Sequence, residues 1–206
     1  MYKKYWFVCL ALGFMILAII TGCETLQKAA TSGGREYFPN TDGYSWTFRL
    51  SSSTTTEIAT AKFTANGTTS IDGITVQKLK VEMISGAHVS TSETLVRVTD
   101  SDVTWYTSAS NPTSEALKMI SFPLTIGSKW IVNQLATMTS EGTVLSQENV
   151  GSYNDCFKVK IASVSSPGNT IDFWLAKDVG VAKVLITNLS GTTETTNLAE
   201  LTGKSF

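Results

Sequence analysis

The chain is poor in the residues from which most catalytic and metal-binding sites are built. Its 206 residues include one histidine, His88, and three cysteines, Cys9, Cys23 and Cys156. Neither the Cys/His spacing of a zinc site nor an alternating Asp/Asn loop ending in glutamate occurs, so no metal and no cofactor is expected. A G-x-S-x-G elbow, an S-x-x-K pair and a glycine-rich phosphate loop are missing as well. Nucleophilic hydrolysis needs a serine or cysteine beside a base and an orienting group, and His88, after Gly86-Ala87 between two strand candidates, reads as a solvated loop residue. Asp100 and Asp102 read as turn chemistry. Asp172 and Asp178 flank the strand that holds Trp174, and acid–base work would need one of them buried with a raised pKa. Charge is scarce too, at 16% of residues with a formal net charge of -1, and no basic stripe is present to meet nucleic acid. These absences predict a protein that is not an enzyme and has no nucleic-acid partner.

Long hydrophobic runs are confined to one place. Lys3 and Lys4 precede an apolar stretch from Tyr5 to Ile20, about 16 residues, short of the 18 or more that a free-standing membrane helix needs. The layout is that of a secretory signal peptide. Ile20-Thr21-Gly22-Cys23 resembles the bacterial lipobox, which implies cleavage between Gly22 and Cys23 and attachment of diacylglycerol and a further acyl chain, such as palmitate, to Cys23. At about 0.8 kcal/mol per buried methylene, several chains hold a protein where one binds only reversibly. The alternative is an uncleaved signal anchor. Lipidation places the protein at the cell membrane or outer membrane, its domain outside the cytoplasm and its membrane partner reached through the anchor. Loss of residues 1–22 also removes Cys9, so the mature chain keeps only Cys156 beside the lipidated Cys23 and has no internal disulfide. Stability must come from a core.

Residues 23–36 lack apolar periodicity and contain Thr31-Ser32-Gly33-Gly34, the composition of a tether, with at most a short helical turn near residues 24–30. From residue 37 to 206 the pattern has period two, clearest where Tyr44, Trp46, Phe48 and Leu50 alternate with Ser45, Thr47 and Arg49. Further strands are expected near residues 57–65, 74–84, 89–99, 103–107, 115–120, 129–138, 143–150, 154–164, 170–176, 180–187 and 193–201. Asn66-Gly67, Asp72-Gly73 and Ser166-Pro167-Gly168-Asn169 supply turn residues. Serine and threonine make up about a quarter of the chain and favour strands over long solvated helices.

Phe38-Pro39-Asn40-Thr41-Asp42-Gly43-Tyr44-Ser45-Trp46 and Phe122-Pro123-Leu124-Thr125-Ile126-Gly127-Ser128-Lys129-Trp130 share the pattern F-P-x-T-x-G-x-x-W. Leu79–Met83 against Phe157–Ile161, and Trp105 against Trp174, are weaker echoes in the same order. The expectation is two β units, residues 37–120 and 121–206, forming one sheet or incomplete barrel. Trp46, Trp105, Trp130 and Trp174, with Phe48 and Phe157, are expected either to fill its core or to line an apolar groove. Alternation puts Cys156 on the face of Lys158 and Lys160, opposite Phe157, Val159 and Ile161. A strand covered on both faces would bury it as a small hydrophobe, whereas neighbouring lysines would make it a reactive thiol.

The lipobox, the repeated F-P-x-x-x-G-x-x-W, the Asn154–Val159 segment and Trp174–Val181 together resemble a broad group of bacterial lipoproteins. The resemblance covers most of residues 37–201. It implies an all-β fold, a strongly curved, mostly antiparallel sheet like the open barrel of the outer-membrane lipoprotein carrier proteins, with an apolar groove able to hold acyl chains. The functional expectation is a membrane-anchored binding module for a lipid or other hydrophobic ligand. The alternative is a structural or protein-interaction module of the cell envelope, with a filled core and an envelope protein as partner.

Overall fold

The computed structural model describes residues 33–106, 116–135 and 138–206. The signal peptide expected at 1–22, the lipidation site Cys23 and residues 24–32 lie outside that range. After a short helix α1 (Gly34–Tyr37) come six strands, β1 (Ser45–Ser52), β2 (Thr55–Ile71), β3 (Ile74–Ser85), β4 (His88–Val98), β5 (Asp102–Tyr106) and β6 (Ala116–Ser121). Six more follow: β7 (Lys129–Leu135), β8 (Met138–Val150), β9 (Tyr153–Ser163), β10 (Thr170–Ala176), β11 (Gly180–Ser190) and β12 (Thr193–Ser205).

The twelve strands form one antiparallel sheet in the order β6-β5-β4-β3-β2-β1-β12-β11-β10-β9-β8-β7. Each strand pairs with its neighbour in sequence, and β12 returns to pair with β1, Leu50 opposite Ala199. Only β6 and β7 share no ladder, so the sheet curls into a barrel with one open seam. The strands are those of the period-two alternation, and the sheet has the strongly curved, antiparallel all-β architecture that the resemblance to bacterial lipoproteins implies. The described strands and the main apolar cluster lie within residues 33–206.

Alternation assigns the two faces. Phe48, Ala61, Phe63, Leu79, Met83 and Phe173 turn into the lumen. Their sequence neighbours Lys62, Lys78, Lys80, Glu82 and Asp172 turn outward, where Lys80 pairs with Glu82 at 3.0 Å. Charges placed along the middle of the wall suit an outer face in water and not one in hydrocarbon.

The two Phe-Pro segments precede β1 and β7, the first strand of each run of six. Gly43 and Gly127 both take positive φ, +86° and +89°, a region closed to most side chains. The three hydrogen bonds around them match as well. Gly43 donates to the Ala65 carbonyl and Gly127 to that of Val144, Tyr44 to Thr41 and Ser128 to Thr125, Ala65 to Tyr44 and Val144 to Ser128. The Trp105–Trp174 echo has no such counterpart, since Trp105 stands on the fifth strand of its run and Trp174 on the fourth.

Two local expectations are corrected. Asn66-Gly67 does not reverse the chain, because β2 runs straight through it and the ladder to β3 only shifts register between Ala65 and Thr68. The positive φ of Gly67 serves a bulge, and its N–H is taken by the side chain of Asp42. The hairpin is made at Asp72-Gly73, both at positive φ, while Ser166-Pro167-Gly168-Asn169 closes with a 2.9 Å bond from Asn169 N–H to the Ser166 carbonyl. Residues 34–36, expected within the tether, belong to the folded body. Gly34 donates to the Thr99 carbonyl, Asp178 donates to the Glu36 carbonyl, and Lys177 pairs with Glu36 at 3.0 Å. A Cβ at Gly34 would run into that Thr99 oxygen and the Phe122 ring, so the docking requires glycine.

Candidate functional site: an apolar lumen open at one end

In a meander of this kind the turns alternate between the two ends of the barrel, and the ends differ. The end that carries the β4–β5, β6–β7 and β10–β11 connections is filled. Tyr37, delivered by α1, stacks on Phe122 at 6.0 Å and meets Phe157 edge-on at 5.9 Å. Leu124, Val159 and Leu175 complete a layer from which water is excluded. Above this plug lie Phe38 and Trp46, 6.1 Å apart. The Trp46 indole N–H donates to the Val179 carbonyl at 2.8 Å, and Gly180 comes close to the same ring, so the β10–β11 turn and β1 are locked together at the closed end.

Beyond Trp46 the lumen is not filled. An apolar cavity of about 320 Å³ begins on the floor formed by Phe38 and Trp46. One wall is Phe48, Ala61 and Phe63, the next Leu79 and Met83, and Trp105 and Met119 lie towards the seam. Ile171, Phe173 and Val181 close the far side. The cavity shares Leu50, Val184, Ile186 and Ala199 with a wider space of about 400 Å³ at the other end, where Ser51, Ser52, Ser85 and Asn197 appear. A blind apolar pocket thus opens through a mouth of mixed lining, at the end opposite to that where α1 joins the barrel.

The residues proposed for groove or core divide accordingly. Trp46, Phe48 and Trp105 line the cavity, and Phe157 belongs to the plug. Trp130 bridges the seam: its indole N–H donates to the Lys118 carbonyl of β6 at 2.9 Å, and its ring lies over Gly142, where a Cβ would collide with the indole. Trp174 is separated from all of these. It points outward yet is only 4% exposed, held between the ammonium groups of Lys158 and Lys183 at 4.7 and 4.9 Å, with its N–H on Glu148. Cavity-lining residues that the sequence did not single out, Ala61, Met83, Met119 and Val184, follow from the alternation of their strands once the inward face is known.

Other candidate chemistry is dispersed. His88 is exposed at the β3–β4 turn, Asp178 is exposed at the opposite end, and Asp172 lies on the outer face 3.5 Å from Lys158 and 3.9 Å from Lys160. Asp102 pairs with Arg97 and accepts from Thr104 beside the β4–β5 turn. No group of three or more His, Cys, Asp or Glu among the described residues is placed to hold a metal ion.

Of the two readings of Cys156, the structure takes the buried one. Its side chain is 0% exposed, packed with Trp174, Ala176 and Val179 under the outer face. Burial pushes the thiol pKa above its usual value, against a hydrogen bond from the Val150 backbone that lowers it, and Asp155 and Glu148 raise it further. The native protein should therefore react slowly with thiol reagents at neutral pH and rapidly once unfolded, a difference read by labelling with and without denaturant. A thiol whose folded pKa is raised stabilises the fold below the unfolded pKa, and that contribution is lost as pH climbs through the folded value. Cys156→Ala should remove this alkaline component, and fast labelling of the native protein would contradict the assignment.

This geometry defines a class, the open up-and-down barrel with an apolar, half-filled lumen. A solved exported protein of Bacteroides fragilis, described as having a YmcC-like fold, matches with a TM-score of 0.52 at 14% identity, covering 85% of this chain and 100% of its own. A lipoprotein of Parabacteroides distasonis matches with a TM-score of 0.46 at 11% identity, covering 84% and 99% respectively. The first likeness establishes a shared fold. No family model and no curated protein matches the chain.

Proposed function

We propose that this chain is a non-enzymatic, lipid-anchored protein of the bacterial envelope whose barrel binds one aliphatic ligand in its lumen. The observation that carries the reading is the unfilled apolar cavity. Protein interiors pack with few voids larger than a water molecule, and here the closed end obeys that rule while the space above Trp46 does not. At about 320 Å³ the cavity falls at the lower end of the range of small-ligand pockets. Its chemistry suits the acyl-holding groove implied by the resemblance to lipoprotein carrier proteins, and the description of the Bacteroides fragilis neighbour as exported agrees with an envelope location.

Titrating the barrel, residues 33–206, with the uncharged fluorophore N-phenyl-1-naphthylamine should give saturable binding at one site with a blue-shifted emission. Emission that rises without saturation, or not at all, would remove the ligand-binding reading. That result would favour the second one, an interaction module, for which Ile84 and Val89 offer a directly paired, exposed, outward-facing apolar patch. The anchor has its own test. Cys23→Ser is expected to abolish incorporation of labelled fatty acid and leave unprocessed precursor, and continued labelling would rule out this anchor.

A further inference from the structure

Resting on the lumen reading, we infer that the cavity takes one alkyl chain to a depth of about ten carbons, and that Phe38 together with Trp46 sets this length by closing the floor. Trp46 is fixed in place, 6% exposed and with its indole N–H on the Val179 carbonyl at 2.8 Å. Phe38 arrives on the segment between α1 and β1, half-buried, with the plug on one side of it and the cavity on the other. Its counterpart in the repeated Phe-Pro segment, Phe122, belongs to the plug itself and stacks on Tyr37. The two copies of one motif thus supply the plug and the floor above it, and a tail that enters from the mouth stops at Phe38.

Two magnitudes give the length. Trp46 on the floor and Leu50, which lines both the cavity and the mouth, are four residues apart on β1. Four residues of strand span about 13 Å, and an extended alkyl chain advances about 1.3 Å per carbon, so about ten carbons reach from floor to mouth. A methylene takes roughly the volume of a water molecule in the liquid, about 30 Å³, and on that scale the cavity of about 320 Å³ also holds about ten. Two tails side by side, each long enough to cross half of a hydrocarbon core about 30 Å thick, would need about twice that space or more, so the closed part of the lumen takes one. A longer chain places its further methylenes in the wider space around Ser51, Ser52 and Ser85, where each keeps contact with water and gains less.

The test uses the mature chain, residues 23–206, made without the signal peptide and therefore without acylation, which contains every described residue. A series of n-alkyl maltosides of increasing chain length, each kept below its micelle threshold, competes for bound N-phenyl-1-naphthylamine. Each added methylene should lower the displacing concentration about fourfold up to about ten carbons, and by less than about twofold beyond. Phe38→Ala, which opens the floor, should move this break to chains longer by about two or three carbons, and Phe38→Trp should move it to shorter ones. If Phe38→Ala does not fold, the native series and Phe38→Trp still decide the matter. A constant gain through the whole series, or a break that neither variant moves, would overturn the length assignment and leave the cavity intact. Failure of the dye to bind the native chain would overturn the lumen reading, and with it this one.

Discussion

Trp46→Ala is expected to lower the unfolding free energy of the barrel by about 3–5 kcal/mol, measured as a fall in the denaturant midpoint at unchanged slope. Three separate contacts are lost together. The indole is 6% exposed, so truncation leaves a hole between the plug and the cavity that the rigid sheet does not collapse to fill. The ring also packs against Phe38 and, at 5.6 Å, against Phe206, which in turn stacks on Tyr44. The Val179 carbonyl, held at 2.8 Å, is left without its donor. Trp46→Phe separates these effects by keeping most of the ring and deleting the N–H, for an expected cost of about 1–3 kcal/mol. Trp105→Ala is the comparison, since Trp105 lines the cavity and is only half-buried, and it should cost clearly less than Trp46→Ala. Equal midpoints for all three variants and the parent would mean that Trp46 is not the element that joins the plug to the wall.

Ala61→Trp should do the opposite, abolishing ligand binding while leaving the fold intact. Ala61 is 2% exposed and lies between Phe48 of β1 and Met83 of β3, with its methyl group on the lumen wall. An indole there projects into empty space and takes the volume that the ligand would occupy. Dye affinity is expected to drop by about 100-fold, roughly 2.7 kcal/mol. The denaturant midpoint should hold or rise, because filling a void recovers contacts that the void had forfeited. A residue that belonged to a packed core would behave differently, since an overpacked site loses about 1–3 kcal/mol. The pair of readouts therefore distinguishes a cavity from a core at one position.

Much of the wall was legible before the structure. The alternation of Trp46, Phe48 and Leu50 located β1 and its inward face, and the spacing of turn residues placed most of the other strands within a few positions. What alternation does not convey is which face a buried residue occupies when both faces bury something. Trp174 and Cys156 are the cases in point. They sit on the outward side but are covered by Lys158, Lys183 and their neighbours, so an indole named from its size as core or groove, Trp174, is buried outside the lumen. Asn66-Gly67 misled for a related reason, because the same positive φ that makes a hairpin also makes a bulge, and only the partner strand decides between them. Residues 34–36 read as tether because their docking uses backbone groups, the Gly34 N–H and the Glu36 carbonyl, which leave no apolar signature. The cavity was not legible at all in its size. It depends on how much side-chain volume twelve strands direct into one lumen, a sum over distant positions in which single small residues such as Ala61 and Ala199 weigh as much as the tryptophans.

The mouth and the N-terminal attachment lie at opposite ends of the barrel. The chain joins the barrel at Gly34, beside the filled end, and the cavity opens at the other. A ligand would then be offered to or taken from whatever faces the free end of the barrel.

The central claim is that the space above Trp46 is a binding site and not merely an imperfection of packing. Mass spectrometry of organic extracts from the native protein and from Ala61→Trp, both isolated from their own membranes and washed free of bulk lipid, tests it most directly. About one equivalent of an aliphatic molecule is expected per native barrel, beyond any covalently attached acyl chains, and none from Ala61→Trp. Native protein that carries no such molecule, or the same amount recovered from both, would contradict it.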